Sequence, residues 1–352
     1  MKRHNSFEIK NAISITGIFI CSTLQGFGQP EADSVFSREE PMDIRLEISL
    51  KQMRNSTKDT SWISDKLYYR NGSGSFDSIK IDLKGRGHFR LTECYFPPLW
   101  IKINKKDAKG TAFDGNKKLK LVLPCKTYKE DNPLILREYI CYKLCEVITP
   151  YAFKTRLVNV DLTERGGKKN KNFQLKGILI EDLEKAAMRL NAQPKEDLRI
   201  AAWNLEDTNV LRFYMFQYLI ANTDWSTTVQ HNSKLIFLPN RSYISLPYDF
   251  DLSGVVNAHY AFVSLAGDTE LPIENVRQRL YRGYCNPPGA TQYVRNEVLA
   301  KEAALLSVPD LVKGELDDKE ISGIKNYLKE FFEILKSDFL FKDNILDKCR
   351  VN

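Results

Sequence analysis

An α+β protein of two lobes is the architecture the sequence predicts: a β-rich N-terminal lobe, then a mainly helical C-terminal one. Two observations predict it. Apolar and polar residues alternate, with turn signals between, over much of the first half; beyond residue 186 apolar residues recur mostly at helical spacing. The 352 residues, 43% hydrophobic and 28% charged, suffice for one large domain or a two-lobed one with a sizeable core. The expected boundaries are 1–28 for an export signal, 29–41 for a disordered linker, 42–185 for the β-rich lobe and 186–352 for the helical lobe.

In the β-rich half, DIRLEISL (43–50) alternates as a half-buried strand does. The runs 67–69 and 79–83 flank Asn71-Gly72-Ser73-Gly74-Ser75, a hairpin signal. Strands are expected again at 100–103, 117–123, 156–162 and 173–181. Between them, 133–147 reads as a helix: Pro133 suits a first turn, and Leu136, Ile140, Leu144 and Val147 share one face. In the second half, helices are expected within 204–221, at 297–305 and at 320–339. Two strands follow the first of these helices, in the stretch 218–254.

At the N-terminus Lys2 and Arg3 precede the short apolar run 12–24. Gly26-Phe27-Gly28 then offers small residues before Gln29, a pattern of a cleaved export signal. The residues before Cys21 lack the small side chains of a lipid-attachment site. No later stretch approaches the ~20 apolar residues of a membrane helix, so no transmembrane span is expected in the mature chain. The expected location is the periplasm, the cell surface or outside the cell. Six of the seven cysteines lie beyond residue 28, and in an oxidising compartment they could pair or remain buried thiols. The net charge of +7, from 52 basic and 45 acidic residues, suits anionic ligands and carries no signature of nucleic-acid binding.

The chemistry concentrates in 218–254. Asp224 lies in a loop after an aromatic-rich apolar helix, and Asn232 follows eight residues later. Asp249 and Asp251 close the second strand, two apart on what reads as an extended segment, so their carboxylates are expected on one face. Like charges there repel, and a bound cation relieves the repulsion. Hard divalent cations take such oxygen ligands. Each residue alone also suits a helix cap or a turn; the order Asp, Asn, Asp-x-Asp is what points to phosphoryl transfer.

The stretch resembles the spore-coat protein H (CotH) kinase-like family. It has Asn222-Thr223-Asp224 for that family's N-x-D loop, Asn232 for its downstream Asn, and Pro247-Tyr248-Asp249-Phe250-Asp251 for its PWDFD-like strand end. Arg86-Gly87-His88-Phe89-Arg90 is similar to its RGNSSR-type loop, with His88 and Phe89 replacing small polar residues. Lys176-Gly177-Ile178-Leu179-Ile180-Glu181 resembles its Gly-and-Glu strand, with Leu179 in place of Tyr. The likeness covers roughly residues 80 to 260. The blocks Cys-x-FPPL, KLKLV and NTDW…HN…PYDFD resemble those of an exported Bacteroidetes-type branch.

The resemblance implies an atypical protein-kinase-like fold with ATP and Mg²⁺ (or Mn²⁺) between the lobes and a protein or envelope hydroxyl as acceptor. Asp224 would orient the acceptor, and Asn232, Asp249 and Asp251 would hold metal. Gly85, Arg86 and Gly87 would approach the phosphates. Lys102 and Lys120 are rival candidates for the phosphate-clamping lysine, and each also reads as the outward residue of a strand. Glu138 would pair with that lysine, and Glu181 falls on the family's strand glutamate. A catalytically inactive, exported interaction protein is the alternative expectation.

Overall fold

A computed structural model of the chain describes residues 1, 35–59, 61–87, 89–128, 131–167, 169–196, 198–265 and 269–351. The expected export signal, its cleavage point at Gln29 and residue 88 lie outside the described residues. Among those described, no helix is long and apolar enough to cross a membrane.

The chain runs β1 (Met42–Ile48), α1 (Leu50–Asp59), β2 (Ile63–Arg70), β3 (Phe76–Gly85), α2 (Phe89–Glu93), β4 (Leu99–Ile103), α3 (Lys105–Ala108), β5 (Lys118–Val122), α4 (Asp131–Ile148), β6 (Thr155–Glu164) and β7 (Lys171–Glu181). It continues through α5 (Leu183–Arg189), β8 (Gln193–Lys195), α6 (Asp207–Leu219), β9 (Ser233–Phe237), β10 (Tyr243–Pro247), α7 (Pro288–Ala300), α8 (Glu302–Ser307), α9 (Asp318–Lys336) and α10 (Asp338–Phe341).

The expected two-lobed, kinase-like architecture is contradicted. The β-rich half is a closed seven-stranded barrel in the order β1-β2-β3-β4-β5-β7-β6, and the composition is mixed α/β rather than strands followed by helices. Closure comes from β1, which pairs antiparallel with β2 (Ile44 opposite Tyr69) and parallel with β6 (Ile44 opposite Val160). That parallel contact joins residues over a hundred positions apart, and no local pattern announces it. Strands β8, β9 and β10 form a separate three-stranded sheet within the half expected to be mainly helical.

Alternation works as expected once the barrel exists. On β1, Met42, Ile44, Leu46 and Ile48 point inward, joining Leu67, Ile81, Leu83, Ile101, Leu121 and Leu179 in a filled interior. The outer faces of β5 and β7 are buried too: Val122, Ile178 and Ile180 pack into a second core with α4, α6 and α9. That core runs across the boundary expected at 185/186. Both α4 and α6 are buried around most of their circumference, as befits helices enclosed by barrel and bundle.

Residues 35–40, within the stretch expected as a linker, pack on this frame. Val35 is fully buried and its carbonyl accepts from Arg156 Nη1 at 3.1 Å, while Glu39 pairs with Lys143 at 3.2 Å. Four cysteines form two disulfides, Cys94–Cys125 and Cys285–Cys349; Cys141 and Cys145 are buried free thiols. Two disulfides are compatible with an oxidising compartment.

Candidate functional site

The loop after α6 is held by its own backbone and by aromatic packing. Ala221 turns the chain with φ of 50°. The Asn222 side chain accepts from Asp224 N at 3.0 Å, and its carbonyl accepts from Trp225 Nε1 at 3.0 Å. Trp225 packs on Phe213 and Tyr214 of α6, with ring centroids 5.1 and 5.5 Å away. Arg282 donates to the carbonyls of Thr223 and Trp225. The aromatic helix is thus the floor on which Asp224 stands.

Both Asp224 carboxylate oxygens are engaged. His231 Nε2 donates to Oδ1 at 2.8 Å, and Asn232 Nδ2 donates to Oδ2 at 2.7 Å. Burial, the largest single influence, acts to raise the Asp224 carboxyl, but the bond and charge of His231 with the bonds from Ser264 and Asn232 together outweigh it, and the group sits below its usual range. The same bond raises the His231 imidazole above its own.

Asp249 and Asp251 do not share a strand face, because β10 ends at Pro247 and Asp249 has φ of 66°. The left-handed turn, costly for a residue with a Cβ, is pinned by Asp249 N donating to Tyr142 Oη at 3.1 Å. Phe250, fully buried, is wedged against Tyr142 and Phe216. Both carboxylates nonetheless line one cavity of about 290 Å³ with Asp224, His231 and Asn232. Arg86, Gly87 and Arg90 face them.

Asp251 is buried, and burial with the neighbouring Asp249 charge pushes its carboxyl up to about 7. Glu138, on α4 behind it, is pushed up to about 8 by burial, with Arg90 opposing. Arg90 Nη1 lies 4.0 Å from Glu138 Oε2, and Glu138 Oε1 has no hydrogen-bond partner. Arg90 itself is held above its usual range: burial acts against its charge, but Tyr260, Asp251, Glu138 and Asp249 more than offset it.

A second cavity, of about 530 Å³, adjoins the first through Arg86 and Gly87. Lys118, Lys120 and Lys234 reach it, together with Trp100 and Tyr248. Gly87, with φ of 86°, is exposed, and a Cβ there would meet no atom within 4 Å.

The remaining expected residues lie elsewhere. Gly85 faces away from both cavities: a Cβ would sit 2.4 Å from the Met53 carbonyl, so this glycine admits α1 against β3. Lys102 is exposed on β4, 5.8 Å from the Trp62 ring, and lines neither cavity. Glu138 lies beside Arg90. Glu181 is buried between Arg189 and the Lys154 N–H, which donates at 2.6 Å. Of the two rival lysines, only Lys120 meets the cavity.

Residue type and order point to the Asp/Asn set but not to Arg90, Lys118, Lys234 or Tyr248. Arg90 stands four residues after Arg86, at the end of Arg86-Gly87-His88-Phe89-Arg90, and Tyr248 stands between Pro247 and Asp249. Lys118 and Lys234 gave no signal beyond charge.

Among the described residues, no group of three or more His, Cys, Asp and Glu side chains is arranged to hold a metal ion. A cation in the first cavity would therefore need Asn232 or ligand oxygens beside Asp249 and Asp251. Burial and the Asp249 charge both keep a proton on Asp251, and of the two only the neighbouring negative charge would favour a cation. Neither the protein-family models nor the curated proteins compared with the chain match it.

Proposed function

We propose that this chain is an exported phosphotransferase, moving the terminal phosphate of ATP to a hydroxyl of a protein or envelope component with a divalent cation. The observation that carries the reading is one cavity holding Asp224, Asn232, Asp249 and Asp251 with Arg86 and Arg90, sharing Arg86 and Gly87 with a second cavity rich in cations. Phosphoryl transfer asks a protein mainly for placement and charge. Arg86, Lys118 and Lys234 supply positive charge for a triphosphate, and Trp100 and Tyr248 supply apolar surface for a base. Asp249, Asp251 and Asn232 would hold Mg²⁺ or Mn²⁺, which neutralises the charge developing on the phosphates. Asp224, fixed by His231 and Asn232, orients the acceptor hydroxyl. The acceptor oxygen forms its bond to the terminal phosphorus as the bridging P–O bond breaks, its proton passes to Asp224, and ADP leaves.

A second reading is favoured by one observation. Both Asp224 oxygens are already hydrogen-bonded within the chain, as a residue with a purely structural role would be. On that reading the protein is a non-catalytic, exported interaction protein.

Thermal unfolding of the chain from Gln29, with ATP and Mg²⁺ or Mn²⁺, separates the two. A ligand at ~100 times its dissociation constant adds ~2.7 kcal/mol. The expected result is a stabilisation that needs both nucleotide and metal and disappears in Asp249→Ala. No shift with any nucleotide or cation sinks phosphoryl transfer from ATP and leaves the binding reading.

A further inference from the structure

Lys120 is 3% exposed, and its Nζ lies 4.6, 4.9 and 5.4 Å from the ring centroids of Tyr248, Phe153 and Trp100. Among the described residues it has no hydrogen-bond acceptor and no ion-pair partner, yet it lines the 530 Å³ cavity. Three cations share that cavity, Arg86 from the segment after β3, Lys118 from β5 and Lys234 from β9, with Glu184 and Glu196 also on its lining. An ammonium so placed would be desolvated, without an ion-pair partner and repelled by those cations, against the attraction of the three ring faces.

We propose that Lys120 is a nucleophilic amine that captures small phosphorylated aldehydes as imines, with Arg86, Lys118 and Lys234 holding the phosphate. Desolvation in an apolar pocket beside other cations is how proteins prepare lysines for carbonyl chemistry. The charge balance agrees: burial first, then Arg86 and Lys234, hold the amine well below the usual lysine range, with Asp249 and Asp182 opposing. Tyr248, Glu184 and Glu196 are the other titratable groups at the cavity. The Nζ lone pair forms the bond to the carbonyl carbon, and the carbonyl oxygen leaves as water with the two amine hydrogens. No electrons are gained or lost. This activity does not require phosphoryl transfer, although a nucleotide in the same cavity would exclude it.

Pyridoxal 5′-phosphate is the probe, added at neutral pH, trapped with borohydride and mapped by peptide mass spectrometry. An ordinary lysine is almost wholly protonated there, so Lys120 should label at least ~10-fold faster than the exposed lysines. Inorganic phosphate should compete, and pyridoxal without its phosphate should label about tenfold more slowly, having lost the charge-assisted bonds. Lys120→Arg, shown folded by its thermal transition, should lose the adduct. Glyceraldehyde 3-phosphate is the second probe: an adduct with it defines a class of small phosphorylated aldehydes, and an adduct with pyridoxal phosphate alone narrows the ligand to that aldehyde. Label spread over exposed lysines with Lys120 unreacted overturns the proposal, whether or not the Arg variant folds. So does equal labelling of that variant. An ATP and metal shift that survives such a failure leaves the phosphotransferase reading standing.

Discussion

Glu138 and Asp251 share Arg90, so two buried carboxyls face one buried cation. Glu138 rises to about 8 because burial disfavours its charge more than Arg90, at 4.0 Å, restores it. The folded state therefore keeps a proton that the unfolded chain releases in the ordinary glutamate range. The stability from that proton is complete below that range and is lost as pH rises through about 8. Glu138→Gln removes this share of the dependence and leaves that of Asp251, whose carboxyl is raised to about 7. Urea unfolding at about pH 6 and about pH 8 should show the unsubstituted protein losing roughly 2 kcal/mol more than the variant. Equal losses would mean that Arg90 fully compensates the charge. At this scale the Asp/Asn set was legible because its residue types and order carry meaning without a fold. Arg90 was not, because its importance comes from what burial puts beside it.

His231 belongs to the same scale. Its raised imidazole gives stability that is fully present below the usual histidine range and is lost as pH rises through the raised value. The lowered Asp224 gives stability present above the usual aspartate range and lost as pH falls through its own value. Between those limits His231→Gln should cost less than about 1 kcal/mol, since the ring is half exposed and screened. Above the upper limit the difference should shrink, which a pH series of thermal unfolding would reveal.

Among the elements, the contact of α1 with the end of β3 sets where Arg86 and Gly87 begin. Gly85 pairs with Leu99 on β4 and leaves no room for a Cβ against Met53. Gly85→Ala should destabilise by about 1–3 kcal/mol, as overpacking does, seen as a lower denaturation midpoint. An unchanged midpoint would mean that α1 yields without cost. Most elements were legible locally. The hairpin at 71–75 closes with Asn71 N donating to Ser75 O at 2.8 Å, and α4 and α6 form where periodicity placed them. The extended reading of 249–251 failed because tertiary contacts to Tyr142 and Phe216 bend the chain there, whatever its local preference.

For the molecule as a whole, the disulfides connect segments far apart in sequence. Cys285–Cys349 spans 64 positions and ties the C-terminal end back to the segment before α7. Closing a loop of that size restricts the unfolded chain by about 4 kcal/mol. Cys285→Ser with Cys349→Ser should lower stability by that order, read from chemical denaturation of the oxidised protein. A negligible change would show the two ends already held by packing. Cys141 and Cys145, four apart on α4, stay reduced in the core, and burial raises the thiol of each.

By itself the sequence determined the strands of the first half, the helices α4, α6 and α9 but not α1 or the α7–α8 break, the even set of cysteines available for pairing and the Asp/Asn set of the site. Each is written in alternation, helical spacing or residue type, over a few neighbouring positions. Only the tertiary structure decided that the strands close into a barrel, that Lys120 rather than Lys102 meets a cavity, and that Arg90 sits among carboxylates. Those outcomes depend on which distant segments meet and on which side chains lose water when they do. A chain read a dozen residues at a time contains neither.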